Sequence, residues 1–187
     1  ETVQSQKTVG NMKTYTLTED PGEGLVTGLG IGQAIAAGKA CVIKSSDEID
    51  RFEKDSVLIT GMTDPDWVPI MKKAAGIVTD HGGRTSHAAI DSRELGIPAI
   101  VGTENGTKDI KDGQEITISC IEGERGFVYE GILDFEEEEI NIEDIPSTKT
   151  KVMMNIASPA AAFRWWRLPA EGIGLARMEF IINNVIK

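Results

Sequence analysis

The sequence predicts an α/β protein: a layered β/β/α domain, followed by the first strand–helix–strand of an incomplete (β/α)8 barrel. Two short β-branched runs, residues 56–60 and 76–79, have the composition of buried strands. Residues 85–95 have the start and stop signals of a helix, and another strand candidate follows at 99–101. A new strand–helix–strand pattern begins at residue 151, which is how a (β/α)8 barrel begins. Too few residues follow to close such a barrel.

Three further patterns complete the predicted first domain. Residues 22–43 are rich in glycine and alanine but lack the spacing of a phosphate-binding loop, so they indicate strands whose glycines allow close packing. Residues 65–75 place Trp67 and two other apolar side chains at helical spacing, which predicts a helix. Residues 116–118 and 127–129 alternate apolar and polar positions around a glycine-containing turn, which predicts a hairpin.

The stretch at residues 76–102 joins a strand, a glycine-containing loop, a helix and a second strand. Thr85 or Ser86 can cap the helix at its start, and Gly96 can end it. His87 therefore lies in the first turn of the helix. The sequence thus places a histidine where backbone N–H groups lack intrahelical partners and where the helix dipole is positive.

This arrangement suits the binding of a phosphate-like dianion. Gly82 and Gly83 let the backbone approach an anion closely, and Arg84 adds a permanent charge with a forked donor. The neutral imidazole of His87 is a nucleophile that can accept a phosphoryl group. A surface histidine on a glycine-rich turn would have the same residues, so the spacing alone leaves both interpretations open.

The run Gly-Gly-Arg-Thr-Ser-His-Ala-Ala at 82–89 resembles the phosphohistidine signature of the phosphoenolpyruvate-utilising enzymes, and residues 92–99 are also similar to the family. The resemblance implies a swivelling phosphohistidine domain in which His87 is the catalytic residue that carries the phosphoryl group. It implies that the group is stabilised by Gly82, Gly83, Arg84, Thr85 and Ser86. In the family, a threonine at the position of Thr85 can also be a regulatory phosphorylation site.

Two other runs resemble one branch of this family, which makes phosphoenolpyruvate from pyruvate, ATP and water. They are Met-Thr-Asp-Pro-Asp-Trp at 62–67 and the run at 167–183. The resemblance implies that Arg177 binds phosphoenolpyruvate or pyruvate. Glu179 shares a strand face with Arg177 by the period of two, so it is a possible modulator. An ion pair between these neighbours on an exposed face is the alternative interpretation.

The resemblance implies a complete enzyme that works in two half-reactions. ATP phosphorylates His87 at a site on a neighbouring domain, and a Mg²⁺-dependent site in the barrel passes the phosphoryl group to pyruvate, with AMP and phosphate as the other products. The Mg²⁺ ligands are expected outside this chain, and no metal site is expected within it. We expect the chain alone to be inactive in turnover and monomeric, and the full enzyme to be a homo-oligomer.

Two alternative functions remain at this point. Enzyme I of the sugar phosphotransferase system, or another dikinase of the same family, shares the Gly-Gly-Arg-Thr-Ser-His run. A domain of the same fold could also serve only in protein interactions, without phosphoryl transfer. Incorporation of one acid-labile phosphoryl group separates the second alternative from every enzyme of the family.

The chain divides by composition into four parts. Residues 1–20 are polar without sustained periodicity and predict a linker or extended arm, and residues 21–133 form the phosphohistidine domain. Residues 134–150 contain four consecutive glutamates and a proline, which predicts a solvated interdomain linker. Residues 151–187 form the N-terminal fragment of the barrel that binds phosphoenolpyruvate or pyruvate.

Composition excludes several classes of protein. A net charge of -11 argues against binding to nucleic acid or to an anionic membrane, because both need basic patches.

Cys41 and Cys120 match no metal-ligand spacing and are expected to be buried free thiols in a reducing cytoplasm. No apolar run is long enough to span a membrane.

Asp91 departs from the family pattern, in which an apolar residue is common at this position. It lies four residues after His87 and therefore on the same helix face. Its carboxylate could orient the imidazole by accepting a hydrogen bond, or it could repel an incoming phosphate. With both groups exposed to water, we expect the repulsion to prevail and Asp91 to slow phosphoryl loading mildly.

Overall fold

The computed structural model describes residues 11–141, 148–156 and 168–176. The chain divides into two compact units. One unit is Thr14–Glu137, and the other combines Glu1–Lys13 with Glu138–Lys187. The first unit contains the glycine–histidine motif.

Eleven strands are present in the described ranges, and most are short. In chain order they are β1 Asn11–Leu17, β2 Val26–Ile31, β3 Ile35–Val42, β4 Val57–Thr60, β5 Gly76–Thr79, β6 Ala99–Val101, β7 Glu115–Ser119, β8 Arg125–Glu130, β9 Phe135–Asn141, β10 Met153–Ile156 and β11 Gly172–Ala176. The strands predicted around residues 56–60, 76–79 and 99–101 are confirmed by β4, β5 and β6.

The helices of the described ranges are also short. They are α1 Val68–Met71, α2 His87–Leu95 and α3 Gly106–Asp109, together with 3₁₀ turns at Ser46–Arg51 and Pro65–Trp67. The side chain of Asp64 caps the second 3₁₀ turn by accepting a hydrogen bond from the backbone N–H of Asp66 at 2.9 Å. Within these ranges no helix has the length and apolar character that a membrane span requires.

Seven strands close into one barrel in the order β2-β6-β5-β4-β3-β7-β8. The neighbours from β3 through β4 and β5 to β6 are parallel, whereas β2, β7 and β8 join their neighbours antiparallel. The predicted hairpin is confirmed by the pairing of β7 with β8. The α/β class is confirmed, but the layered β/β/α arrangement is not, because the sheet closes on itself.

Alternation along the central strands divides the apolar side chains between two cores. In β4, Val57 and Ile59 join a cluster that receives side chains from all seven strands and therefore fills the barrel. Leu58 lies between them in sequence and joins a second cluster with Trp67 and Ala89. This second core packs the helical segments against the outside of the sheet, and it fixes the start of α2 relative to β5 and β6.

Residues 1–20 and 134–150, predicted as an arm and an interdomain linker, each contain a strand. β1 and β9 pair as a two-stranded sheet inside those ranges. The rings of Tyr15 and Phe135 lie 6.1 Å apart, and the N–H of Thr18 donates to the carbonyl of Asp134 at 3.1 Å. No local pattern predicts these strands, because their other positions are mostly polar.

The second unit contains a parallel pair, β10 with β11. Met153 lies opposite Gly172, and Ile156 lies opposite Ala176. Two strands of the predicted strand–helix–strand are therefore present. The predicted helix at 159–167 and the residues Arg177 and Glu179 lie outside the described residues.

Gly28 is a position where the sheet leaves no room for a side chain. A Cβ atom there would lie 2.6 Å from the backbone oxygen of Val101 and 2.9 Å from Cγ2 of Ile100. We expect Gly28→Ala to lower the free energy of unfolding by about 1–3 kcal/mol, because backbone must move to relieve the clash. Urea unfolding measures the change. Gly61→Ala is the control, since its Cβ meets nothing within 4 Å, and an equal loss in both variants would contradict the prediction.

Cys120 links stability to pH on the alkaline side. Burial raises the pKa of its thiol from 9.0 to about 11. The unfolded thiol therefore ionises before the folded one, and the stability that this group contributes below pH 9 is lost as pH rises toward 11. We expect Cys120→Ala to flatten the fall in unfolding free energy across that interval. Burial also raises the pKa of the Cys41 thiol, and we expect Cys41→Ala to flatten this fall in unfolding free energy less than Cys120→Ala does. An unchanged slope in Cys120→Ala would refute the assignment to Cys120.

Candidate functional site

The glycine–histidine motif lies in the loop that joins β5 to α2. Ser86 occupies the N-cap position, as predicted, but its side chain makes no capping hydrogen bond. Instead the Ser86 hydroxyl and the Ser86 N–H both donate to the carbonyl of Gly83, at 2.9 and 3.1 Å. Gly96 ends α2 in the left-handed conformation, which confirms the predicted stop. The loop is therefore a tight turn that closes on itself immediately before His87.

Gly82 is required by this turn. Its φ is +122°, and a Cβ atom there would lie 2.8 Å from Oγ of Ser86. At Gly83, by contrast, an added Cβ would meet nothing within 4 Å, so the space above that residue is open. One glycine thus shapes the turn, while the other leaves its backbone accessible from solvent.

His87 is the first residue of α2, and 56% of its side chain is exposed. Its Nδ1 lies 3.9 Å from Oδ2 of Asp91, one turn further along the helix. The Asp91 side chain is only 19% exposed, and its Oδ2 is buried without a hydrogen-bond partner. The predicted juxtaposition of His87 and Asp91 is confirmed, although the distance is too long for a hydrogen bond.

Arg84 is held by two contacts that the sequence did not indicate. Its Nη2 forms an ion pair with Oε1 of Glu124 at 2.7 Å, and its carbonyl accepts a hydrogen bond from Nη1 of Arg93 at 2.8 Å. Glu124 belongs to the turn between β7 and β8, forty positions away in sequence, so no local pattern could reveal the pair. Thr85, between Arg84 and Ser86, is exposed.

Asp80 is a residue of this site that sequence reasoning missed. It is 7% exposed and follows β5 directly. Its carboxylate accepts hydrogen bonds from the N–H of Thr107 at 2.9 Å and from the Thr107 hydroxyl, while its own N–H donates to the carbonyl of Thr60. Asp80 therefore anchors the start of the motif loop to α3 and β4. A carboxylate at the end of an apolar strand, before a glycine pair, was the available signal.

No group of three or more His, Cys, Asp or Glu side chains suited to a metal ion occurs in the described part of the chain. The structure brings together six of the predicted site residues, together with Asp91. They are Gly82, Gly83, Arg84, Thr85, Ser86 and His87. Arg177 and Glu179 cannot be placed relative to them, because they lie outside the described ranges.

Two family descriptions match consecutive parts of the chain. "PEP-utilising enzyme, mobile domain" matches residues 52–123, and "PEP-utilising enzyme, PEP-binding domain" matches residues 135–187. The chain belongs to the PEP-utilising enzymes. His87 and the glycine loop lie within the part that matches the mobile domain of this family.

The chain is similar along its whole length to curated PEP-utilising enzymes named phosphoenolpyruvate synthase. It is 56% identical to that of Aquifex aeolicus over 191 residues and 50% identical to that of Escherichia coli over 186 residues. It spans 22% and 23% of the length of these two relatives. An NMR solution structure of Enzyme I is 36% identical and covers 46% of this chain and 33% of its own, with a TM-score of 0.37.

The anchoring role of Asp80 gives a prediction for this PEP-utilising domain. We expect Asp80→Ala to lower the free energy of unfolding by about 1–3 kcal/mol, because the partly buried N–H and hydroxyl of Thr107 lose their acceptor. Chemical denaturation provides the measurement. Glu94→Ala removes an exposed carboxylate from α2 and is the control. Equal stability of Asp80→Ala and the parent chain would show that the loop does not depend on this anchor.

Proposed function

We propose that this chain is the phosphoryl-carrier part of a phosphotransferase that makes phosphoenolpyruvate from pyruvate, ATP and water, with AMP and phosphate as the other products. One observation carries the proposal. His87 is the first residue of α2, is 56% exposed, and follows a turn that Gly82 shapes, within the residues that match the mobile domain. A nucleophilic nitrogen is thereby held at the positive end of a helix, accessible to a donor.

The start of α2 is suited to hold the transferred group. The N–H of Ile90 donates to the carbonyl of Ser86 at 3.0 Å, so intrahelical bonding begins there. The N–H groups in the first turn of α2 therefore point toward the N-terminal end of the helix. An anion bound there accepts hydrogen bonds from several of these donors at once. The open space at Gly83 lets such an anion approach the backbone.

Arg84, Thr85 and Ser86 complete the proposed phosphoryl site. Arg84 neutralises charge after leaving Glu124, an exchange that is easy because 56% of the arginine side chain and 81% of the glutamate side chain are exposed. Thr85 is exposed beside it and supplies a hydroxyl or backbone donor; it is also the weaker candidate for regulatory phosphorylation. Ser86 contributes through the turn that it closes with Gly83.

The second half-reaction is assigned to the region that matches the PEP-binding domain. We assign substrate binding to Arg177 and a modulating role to Glu179, in a (β/α)8 barrel of which residues 151–187 are the first part. The parallel register of β10 and β11 supports this, since a barrel of that type begins with parallel strands. We also propose that the phosphohistidine domain spans 21–133 and swivels on the acidic segment 134–150, with 1–20 as an arm.

The remaining proposals concern the complete protein. ATP and pyruvate bind on neighbouring domains, and the enzyme is a cytoplasmic homo-oligomer. Mg²⁺ is implied by the resemblance, with its ligands on the neighbouring domains; the described residues of this chain hold no cluster that fits it. Relatives 50–56% identical over the whole chain and named phosphoenolpyruvate synthase favour this reaction over that of Enzyme I.

Phosphorylation of His87, and not of His81, is the central prediction. A chimaera supplies the neighbouring domains: this chain replaces the matching segment of the Escherichia coli relative, to which it is 50% identical. Radiolabelled ATP should then place one acid-labile phosphoryl group on the chimaera, and mass spectrometry locates it. We expect His87→Ala to abolish incorporation, because it removes the nucleophile.

His81→Ala is the matched control. His81 is also exposed, and its backbone N–H donates to the carbonyl of Gly61 at 2.9 Å, but it precedes the turn rather than beginning the helix. The His81→Ala chimaera should incorporate as much label as the parent chimaera. A folded chimaera that is labelled in His87→Ala and unlabelled in His81→Ala would reverse the assignment. A folded parent chimaera with no label would contradict the carrier function itself.

A further inference from the structure

One carboxylate oxygen beside His87 is left without a hydrogen bond. Oδ2 of Asp91 is buried and has no partner, although the side chain belongs to a partly exposed helix face. A buried, unpaired charged acceptor is costly, so such an atom indicates a donor that arrives in another state of the site.

The nearby donor is the imidazole of His87. Its Nδ1 lies 3.9 Å from Oδ2, and the two residues are four positions apart on α2. The His87 side chain is 56% exposed, so its imidazole has room to rotate and bring Nδ1 closer to Oδ2. Contacts of this kind are often long in an unliganded site and shorten when the reacting group is bound.

We propose that Asp91 is a positioning residue for His87: its carboxylate accepts a hydrogen bond from Nδ1–H and leaves Nε2 as the nucleophile. The proposal deepens the proposed phosphoryl-carrier function and rests on it. The two ring nitrogens of histidine are distinct, and the hydrogen bond made by one decides which tautomer the other presents.

The same contact assists the transfer step. The lone pair of Nε2 forms the new N–P bond while the bond from phosphorus to the leaving group breaks, and the proton on Nδ1 stays in place. The ring therefore gains positive charge as the bond forms. The Asp91 carboxylate, which accepts the hydrogen bond from Nδ1–H, stabilises that positive charge. The aspartate of a Ser-His-Asp triad stabilises its imidazolium in the same way.

The burial of Asp91 changes the expectation drawn from the sequence. Repulsion of an incoming phosphate was expected to prevail if both groups faced water. Oδ2 is instead buried and lies on the Nδ1 side of the ring. The carboxylate is thus nearer to the proton that it holds than to a phosphoryl group arriving at Nε2, and attraction outweighs repulsion.

The test uses the chain labelled with ¹⁵N-histidine and phosphoramidate as the donor. Phosphoramidate needs no partner domain: Nε2 attacks phosphorus, the P–N bond of the donor breaks, and ammonia leaves. Long-range ¹H–¹⁵N correlation spectra report the tautomer of His87 before reaction and the nitrogen that carries the phosphoryl group afterwards. His81, in the same spectra, is an internal reference for an exposed histidine without this neighbour.

Three variants separate the orienting role from a structural one. Asp91→Leu removes the acceptor at similar size, Asp91→Asn keeps an acceptor oxygen without the charge, and Glu94→Gln makes the same change of charge elsewhere on α2. Amide spectra establish that each variant is folded.

In the parent chain and in Glu94→Gln we expect the Nδ1–H tautomer and reaction at Nε2. Asp91→Leu should lose the tautomer preference and react about tenfold more slowly, the lower end of what a hydrogen bond to a charged group contributes. Asp91→Asn should keep the tautomer and react at an intermediate rate.

An unchanged tautomer and rate in folded Asp91→Leu would overturn the proposal, and so would a faster reaction in that variant or reaction of the parent at Nδ1. These results differ from a failure of the carrier function. The tautomer is measured on the unphosphorylated chain, so it decides on Asp91 even if ATP does not label His87 in the chimaera.

Discussion

The close contact of β2 with its two neighbours is the constraint on which the barrel depends. β2 pairs with β6 on one side and β8 on the other, and it therefore closes the sheet. A Cβ at Gly28 would meet the backbone oxygen of Val101, and one at Gly126 would lie 3.1 Å from the Cα of Gly30. The seam thus closes only because these positions lack side chains, and the barrel core can then be filled from all seven strands.

The barrel in turn fixes the position of the histidine. β5 and β6 are parallel neighbours, and α2 crosses between them, packed through Ala88 and Ala89 into the outer core. The loop after β5 is anchored by Asp80 to Thr107, so its turn at Gly82 has a rigid base. Under the proposed carrier function, this arrangement keeps the geometry around the nucleophile unchanged while the domain moves as a body.

The sequence predicted the local features of this fold and site well, and the long-range ones poorly. The strand–loop–helix–strand at 76–102, the end of α2 at Gly96 and the buried pattern around Trp67 all follow from neighbouring residues. Barrel closure, the β1–β9 pairing and the contact of Arg84 with Glu124 join segments that are far apart in sequence. Glycines in β2 indicated close packing, but composition does not say which strands approach each other.

The ion pair of Arg84 with Glu124 has a kinetic consequence. Exposed pairs of this type contribute about 0.2–1 kcal/mol, close to thermal energy, so the arginine leaves and regains its partner on the timescale of surface rotamer changes. Phosphoryl transfers by kinases proceed at about 1–100 per second, which is many orders of magnitude slower. Under the proposed phosphoryl-carrier function, the guanidinium therefore samples the space beside His87 a very large number of times during each turnover, and its release from Glu124 does not limit the rate of transfer.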